Sequence, residues 1–259
     1  MNDRPVAIVT AAGRNIGAAI ARELAERGYR LALMSPSGRS VELAEELGGF
    51  GINGSLTAPG DIERLVAETF ERHGRIDAVV NNSGQHSSVM ARHGVAPVPE
   101  TTGASLNYDP DFDYDFLAIP DEAWREDIEM MVISVIRMAR AVTPIMLRQG
   151  SGAIVNITGL EAEQPRLVYP MGPARLAVHG ITKIYADRYG RDGLRMNCVL
   201  PGTMANGDIP PEAVRAAVPM GRLGTMAELA KTVAFLLGAD SGYITGQMIL
   251  VDGGTNRGL

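Results

Sequence analysis

The chain has 259 residues, of which 46% are hydrophobic and 21% are charged, and its formal net charge is −6. This composition is typical of a globular protein with a large core and excludes a mostly disordered chain. The acidic balance gives no electrostatic reason to expect nucleic acid or an anionic membrane as a partner. Cys198 is the only cysteine, which excludes an internal disulfide and favours the cytoplasm.

Two further classes are not expected from the sequence. The apolar run at 130–136 ends at Arg137 and is shorter than the roughly 20 residues of a membrane span. The four histidines lack the spacing of zinc ligands, so no metal site is expected.

Short apolar runs alternate along the chain with longer stretches of helical periodicity. The apolar runs predict seven strands, at 6–10, 30–34, 51–56, 76–81, 152–158, 194–200 and 247–251. The helical stretches predict six helices, at 16–28, 41–47, 62–73, 121–149, 171–189 and 227–237. Gly74 predicts a left-handed helix end, and Pro144 is a candidate kink in the fourth helix.

This alternation predicts one parallel sheet, because parallel strands need right-handed crossover connections that place helices on both faces. No repeat or linker divides the chain, so residues 1–259 are predicted to form a single domain. Residues 87–120 interrupt the alternation with a long insertion loop, and loops of this length often act as lids. Within that loop, alternation of residue types predicts that Phe112, Tyr114 and Phe116 pack inward.

The first strand leads into a turn that contains Gly13 and Gly17, immediately before the first helix. Such a turn is where the pyrophosphate of a dinucleotide binds, because the backbone can approach the phosphates and the helix N-terminus offers free N–H groups. Two glycines alone are also compatible with a tight turn that binds nothing.

Other motifs make this signal specific: NNSG at 81–84, NCVLPG at 197–202, GRLGT at 221–225, YITGQ at 243–247 and VDGG at 251–254. In this order and spacing they resemble the short-chain dehydrogenase/reductase family over residues 5–255. The resemblance implies a doubly wound α/β Rossmann fold with a seven-stranded parallel sheet. It also implies a nicotinamide cofactor, a small-molecule substrate, and a homodimer or homotetramer.

The cofactor site departs from the family pattern Thr-Gly-x-x-x-Gly-x-Gly, since Ala11 and Asn15 replace the first two glycines. Asparagine tolerates a left-handed backbone, so the turn can persist at position 15. Positions 35–39 lack the acid that an NAD site uses for the ribose, and Arg14 and Arg39 are available for a 2′-phosphate. NADP(H) is therefore expected over NAD(H), unless both arginines are solvated surface residues.

The resemblance implies a set of cofactor-binding residues at the matching positions. They are Thr10, Ala12, Gly13, Arg14, Asn15, Ile16, Gly17, Ser35, Arg39, Leu56, Asn82, Ser83, Gly84, Arg175, Pro201, Gly202 and Thr203.

The catalytic positions depart further. The family pair Tyr-x-x-x-Lys falls on Met171 and Arg175, and the family asparagine falls on Met131. The family serine falls on Gly159, counted from the strand, or on Thr158, counted back from Met171. A thioether has no proton to donate and arginine is not readily deprotonated, so the usual ketone-reductase mechanism is not supported.

Two branches of the superfamily have related variants. Enoyl-ACP reductases carry Tyr-x-x-Met-Gly-x-Ala-Lys, and this chain reads YPMGPAR at 169–175. Met-Gly-x-Ala followed by a basic residue is kept, but Tyr169 lies two rather than three residues before Met171, and Arg175 replaces the lysine. Halohydrin dehalogenases carry Tyr-x-x-x-Arg and have lost nucleotide binding. Arg175 matches their arginine, whereas Met171 and the turn at 14–17 do not match this branch. We take Tyr169, Arg175 and Thr158 as the candidate catalytic residues, with Tyr169 or Thr158 as proton donor and Arg175 holding the nicotinamide ribose.

The first hypothesis is an NADP-binding oxidoreductase that transfers a hydride to or from a C=C, C=N or carbonyl bond. A non-redox lyase or dehalogenase-like enzyme and a catalytically inactive nucleotide-binding protein are the alternatives. Apolar residues on more than one face of helices 121–149 and 171–189 predict a dimer or tetramer.

Overall fold

The computed structural model describes residues 4–83, 86–94, 115–164, 171–205 and 209–258. The described residues form a seven-stranded parallel sheet in the order β3-β2-β1-β4-β5-β6-β7. The strands are β1 Val6–Thr10, β2 Arg30–Ser35, β3 Phe50–Asn53, β4 Ala78–Asn81, β5 Gly152–Ile157, β6 Leu194–Pro201 and β7 Met248–Val251. The predicted α/β Rossmann fold is confirmed, and the order of the strands reverses between β1 and β4.

Helices connect these strands. They are α1 Asn15–Glu26, α2 Arg39–Glu46, α3 Pro59–His73, α4 His86–Arg92, α5 Asp121–Ile128, α6 Ser134–Gln149, α7 Met171–Tyr189, α8 Pro211–Ala217 and α9 Met226–Leu237. The predicted left-handed end of α3 is confirmed, because Gly74 has φ +69°.

The central strands are buried on both faces because helix layers cover the sheet on each side. On one face, α1 and α9 pack over a cluster that includes Val80 and Val155. On the other face, α3 and α6 pack over a cluster that includes Val79 and Ile154. Successive side chains of a strand therefore enter opposite layers.

Several boundaries differ from the sequence-based prediction. Strand β3 ends at Asn53 rather than at 56, because the chain turns where the Ser55 N–H donates to the Asp61 carboxylate at 2.9 Å. Helix α4 occupies the start of the segment predicted as a loop, and α8 was not predicted. Residues 95–114, with Phe112 and Tyr114, lie outside the described residues, as does the Phe116 side chain.

The long predicted helix 121–149 consists of α5, a π-helical segment Glu129–Ile133, and α6. Its interruption lies at the π segment rather than at Pro144, through which α6 continues. Among the described helices, Asp121–Gln149 is one that by length and composition alone could cross a membrane. Three residues of this helix, Met138, Val142 and Met146, are buried in the hydrophobic core, as expected for a core helix.

Candidate active site

The turn between β1 and α1 has an unusual backbone. Ala11 has φ +47° and Asn15 has φ +48°, and they are the non-glycine residues with positive φ in the described part of the chain. A left-handed backbone costs an L-residue roughly 1–2 kcal/mol. Ala11 and Asn15 occupy the two positions at which the family pattern has glycine, and both have the left-handed backbone that glycine adopts most easily.

Gly17 closes this turn against the first helix. A β-carbon at this position would overlap the Ala11 carbonyl oxygen and would lie 2.9 Å from Ala12 Cα. Both obstacles are backbone atoms that cannot move aside, so the close approach of turn and helix requires glycine.

The end of β4 holds the same turn from the other side. The Asn82 N–H donates to Thr10 Oγ1 at 3.0 Å, and the Thr10 hydroxyl donates to the Asn82 carbonyl at 3.0 Å. The Asn82 side-chain amide also donates to the Ala11 carbonyl at 3.3 Å. These bonds join the turn to the switch point of the sheet, which is where Rossmann proteins bind their ligands.

A cavity of about 300 Å³ opens beside the turn at the ends of β2 and β3. It is lined by Ala11, Met34, Ser35, Pro36, Gly54, Ser55, Leu56, Thr57, Arg92, Glu126 and Met130. Arg92 and His93 both contact the Glu126 carboxylate, with His93 Nε2 at 2.9 Å from Glu126 Oε2. The lining combines apolar side chains such as Met34 and Leu56 with polar ones such as Ser35 and Thr57, which suits a nucleoside.

Two arginines stand at the rim of this region. Arg14 and Arg39 are exposed, and neither forms an ion pair with a described residue. A β-carbon on Gly13 would lie 3.0 Å from Arg39 Cβ and 3.0 Å from Ser35 Oγ, so Gly13, Ser35 and Arg39 are close neighbours. The described segment 35–39 brings no carboxylate to this rim.

The cleft after β5 is organised around an ion pair. Arg175, one turn into α7, donates through Nη1 to Glu161 Oε2 at 2.8 Å, and the two side chains are 16% and 23% exposed. Glu161 belongs to a 3₁₀ turn, Leu160–Ala162, that directly follows Gly159. A β-carbon on Gly159 would overlap Arg175 Nη1 and Glu161 Oε2, so the ion pair fills the space beside that residue.

Thr158 makes different contacts from Gly159. Its side chain is buried, and Oγ1 lies 3.1 Å from His179 Nε2 and 3.5 Å from the Val199 carbonyl. His179 Nδ1 in turn lies 3.5 Å from Glu163 Oε1. Burial lowers the pKa of His179, and the negative charge of Glu163 partly offsets this effect.

The remaining catalytic positions of the family pattern carry thioethers. Met131 lies in the middle of the π segment and is buried, and Met171, the first residue of α7, is half-buried against the same cluster. Neither offers a proton to a substrate.

A chain of buried polar groups fixes α7 to the sheet behind this cleft. Asn81 Nδ2 donates to Asn156 Oδ1 at 2.8 Å, and Asn156 Nδ2 donates to Thr182 Oγ1 at 3.1 Å. Thr182 Oγ1 also lies 3.1 Å from Cys198 Sγ, and burial raises the pKa of that thiol to about 11. Cys198 is therefore a neutral core residue rather than a nucleophile.

The start of the loop after β6 is held by contacts with the end of β7 and with Gly224. The Gly202 N–H donates to the Val251 carbonyl at 3.0 Å, and a β-carbon on Gly202 would lie 2.6 Å from Asp252 Cα. The Thr203 carbonyl accepts a bond from the Gly224 N–H at 3.1 Å. Pro201, Gly202 and Thr203 are thus held beside the end of β7.

The other predicted site residues divide into two groups. Ile16, the second residue of α1, packs on the core, Leu56 packs on the cluster of the opposite face, and Ser83 follows Asn82 at the end of β4. Tyr169 and Gly84 lie outside the described residues. No group of three or more histidine, cysteine, aspartate or glutamate residues that could hold a metal occurs in the part of the chain that the structure describes.

Sequence reasoning missed Glu161, Glu163 and His179. One signal was present, because Arg175 and His179 are four residues apart and must share a face of the helix. Glu161 and Glu163 are two residues apart in a short turn that has no periodic sequence pattern. Their contacts with Arg175 and His179 could therefore not be predicted from residue spacing.

The doubly wound sheet and the turn at its switch point place the chain among the Rossmann-fold proteins. A family model described as enoyl-(acyl carrier protein) reductase matches residues 10–256. The chain belongs to the short-chain dehydrogenase/reductase family, whose members use a nicotinamide nucleotide.

Individual relatives agree with this assignment. The chain is 31% identical over 261 residues to the 3-oxoacyl-(acyl-carrier-protein) reductase FabG of Vibrio cholerae, with 96% of each chain covered. It is 30% identical to FabG of Escherichia coli, again with 96% of each chain covered. It is 28% identical to dehydrogenase/reductase SDR family member 4 of Bos taurus, with 98% of this chain and 88% of that protein covered.

Proposed function

We propose that this protein is an NADP(H)-dependent oxidoreductase with a non-standard catalytic site, acting on a C=C, C=N or carbonyl bond of a small molecule. The observation that carries the proposal is the left-handed backbone of Ala11 and Asn15. A turn that keeps a strained conformation after losing its glycines is one whose N–H groups still have a function.

The residues present fit the nucleotide. Gly17 leaves the close approach of turn and helix open, and the helix N-terminus supplies free N–H groups for a pyrophosphate. The cavity beside Ser35 and Leu56 suits an adenosine. Arg14 lies in the turn, Arg39 lies close to Gly13 and Ser35, and both are exposed. They would pair with a 2′-phosphate, which favours NADP(H) over NAD(H).

The catalytic part of the proposal assigns roles to two residues, Arg175 and Tyr169. The bound nucleotide would supply or accept a hydride. Arg175 would donate to the nicotinamide ribose and so fix its orientation. Tyr169 would donate a proton to the substrate, since Thr158 is buried against His179.

The substrate class follows from what the cleft lacks. No hydroxyl stands at positions 131, 159 or 171, so a developing alkoxide would meet no donor from the standard set. The family model carries the description of an enoyl reductase, and the sequence at 169–175 resembles that group. An activated C=C bond is therefore the first substrate class to test, ahead of C=N and simple ketones.

Calorimetry with NADPH and NADH, followed by NADPH oxidation with enones, imines and ketones, tests the proposal. NADPH binding with consumption in the presence of an enone supports it. NADPH binding without consumption by any class favours an inactive nucleotide-binding protein. Absence of binding to either nucleotide contradicts the proposal and favours a non-redox lyase or dehalogenase-like reaction.

We further propose that the protein forms a homodimer or homotetramer through α6 and α7 or through the segment around β7. Ile184 on α7 is 71% exposed, and Leu176, Tyr243 and Leu250 are also exposed apolar side chains. Exposed apolar surface of this kind is typical of subunit interfaces. Light scattering that gives the mass of one chain at micromolar concentration contradicts this assembly.

A further inference from the structure

We propose that Glu161 is a positioning residue that holds the Arg175 guanidinium in place, and that Gly159 provides the space in which the two side chains meet. The proposal concerns Glu161, to which the family pattern assigns no role, and Gly159, one of the two positions that can correspond to the family serine. It deepens the proposed function and rests on it only for the part of the test that measures NADPH binding.

The backbone conformation at position 159 does not require glycine. Its φ of 177° and ψ of 163° are an extended conformation that any residue adopts. The reason lies in the space around it, because a β-carbon there would overlap Arg175 Nη1 and Glu161 Oε2 and would lie 3.0 Å from Arg175 Cζ. Glycine at 159 and the ion pair are thus two parts of one arrangement.

The obstacles around Gly159 are the ends of two flexible side chains. The fold can therefore accept a β-carbon at 159 by moving those ends, whereas the backbone atoms around Gly17 cannot move. A substitution at 159 should break the ion pair and leave the stability of the fold nearly unchanged. This separates a positioning role from a purely structural one.

The main chain of Glu161 is fixed on both sides. Leu160 and Ala162 are buried, and the Ala162 N–H donates to the Gly159 carbonyl at 3.1 Å. A β-carbon on Gly172 would lie 3.0 Å from the Glu161 carbonyl oxygen, so the turn lies directly on the first turn of α7. The carboxylate is therefore presented to Arg175 from a rigid base.

The bond between them is charge-assisted and mostly shielded from water, at 16% and 23% exposure. Such bonds are about twice as strong as neutral ones. A free arginine side chain loses substantial rotamer entropy when it is ordered, and the Glu161 contact has already ordered Arg175 before any ligand arrives. The remaining guanidinium N–H groups are then aimed in a fixed direction.

Glu163 offers a matched control. It belongs to the same segment and faces the same side of α7, but its carboxylate lies near His179 rather than Arg175. Replacing Glu163 with glutamine removes the same charge two residues away without touching the proposed pair.

The first measurement uses the protein without nucleotide. Phenylglyoxal, which reacts with guanidinium groups, labels the protein, and mass spectrometry follows the peptide that contains Arg175. We expect the labelling rate to rise about tenfold in Glu161→Gln and in Gly159→Ala, the effect of losing one charge-assisted hydrogen bond. In Glu163→Gln the rate should change by less than about twofold, and the melting temperatures of all three variants should stay close to that of the parent.

The second measurement is NADPH affinity. Glu161→Gln and Gly159→Ala should each weaken binding about tenfold, and the double variant should be no worse than either one because both changes break the same contact. If the parent binds no NADPH, the proposed function fails, and the labelling rates still decide the role of Glu161. Unchanged labelling of Arg175 in both folded variants overturns the inference. If Glu161→Gln does not fold, Gly159→Ala, which keeps both charges, decides it.

Discussion

The turn after β1 and the cleft after β5 have both lost residues of the family pattern, and they have responded in different ways. In the turn, Ala11 and Asn15 replace glycines and the backbone keeps its left-handed conformation. In the cleft, Met171 and Arg175 stand at the positions that the sequence pattern assigns to tyrosine and lysine, and Gly159 stands at one of its two candidate serine positions. The ion pair of Arg175 with Glu161 fills the space beside Gly159. The first region is thus defined by its backbone conformation and the second by an interaction between side chains.

The difference follows from what each region supplies. The turn acts through backbone N–H groups, which every residue except proline carries, so a change of side chain costs strain but no function. The cleft acts through particular protons and charges, which disappear with the side chain that holds them. A site built from backbone can therefore tolerate substitutions that would remove a site built from side chains.

Tyr169→Phe should have the largest effect on turnover and tests whether Tyr169 is the proton donor. The change removes only the hydroxyl, so NADPH affinity should stay nearly constant while turnover slows by about 10²–10⁴-fold, the usual loss for a general acid. Stopped-flow measurement of NADPH oxidation checks this. Tyr243→Phe, at a fully exposed tyrosine, is the control and should behave like the parent. Parental turnover in Tyr169→Phe would mean that the proton comes from another group.

The ion pair also limits how the standard site can be rebuilt. Met171→Tyr with Arg175→Lys restores two side chains, but Gly159→Ser would place its side chain in the space of the Glu161 carboxylate. Since the Glu161 carboxylate must move aside to admit that serine, we expect more ketone reduction in a quadruple variant with Glu161→Ala than in the triple variant that keeps Glu161. Ketone reduction by the double variant alone would show that the serine position is dispensable here.

Gly17→Ala tests the turn as a steric arrangement. Its β-carbon would meet backbone atoms of Ala11 and Ala12, so we expect a loss of about 1–3 kcal/mol in the free energy of unfolding, as for an overpacked core. Urea unfolding measures this. Gly60→Ala is the control, because a β-carbon there meets nothing within 4 Å in α3. A stable Gly17→Ala variant that still binds NADPH would contradict the close approach described for the turn.

Arg39→Ala tests the electrostatic part of the nucleotide site. Loss of one phosphate–guanidinium contact should weaken NADPH binding by roughly 1.5–3 kcal/mol and leave NADH binding unchanged. Calorimetry with both nucleotides gives the two constants. Arg22→Ala removes an equal charge from α1, where Arg22 is paired with Glu46, and should alter neither constant. An equal loss for both nucleotides would mean that Arg39 does not recognise the 2′-phosphate.

The sequence predicted the sheet well because its information is periodic. A strand such as β1 has four consecutive buried apolar residues, at 6–9, and this run is visible without knowledge of its neighbours. The end of β3 was misplaced because it depends on the Asp61 carboxylate, which belongs to the next helix. The cleft could be predicted only as a list of missing residues. The meeting of Glu161 with Arg175 depends on a turn and on empty space at Gly159, and neither has a sequence period.

The buried His179 should make the stability of the folded protein depend on pH. Burial lowers its pKa in the folded protein, while the unfolded chain titrates near 6.5. Between these values the unfolded chain binds more protons, so stability falls as the pH drops below about 6.5, by at most about 1.4 kcal/mol per pH unit for one group. Urea unfolding at about pH 7.5 and pH 5.5 should show a smaller difference in His179→Gln than in the parent.

His73 provides the comparison for that experiment. Its pKa is also lowered, first by burial and then by Arg30 and Arg72, but its side chain is only half-buried at the end of α3. His73→Gln should therefore reduce the pH dependence in the same direction and by a smaller amount. An equal pH dependence in His179→Gln and the parent would contradict a neutral buried imidazole beside Thr158.

Ala11→Gly and Asn15→Gly should give the smallest effects and test the comparison between the two regions most directly. Each restores the family glycine at a residue with positive φ. The left-handed backbone costs alanine roughly 1–2 kcal/mol, and glycine avoids this cost. Glycine loses about 0.5–1 kcal/mol more conformational entropy on folding than alanine does, which offsets part of the gain. Ala11→Gly should therefore stabilise the protein by about 0.5–1 kcal/mol. Asn15→Gly should change stability less, because asparagine already tolerates this backbone. Urea unfolding separates the two, and a loss of stability in Ala11→Gly would mean that the turn is not strained at that residue.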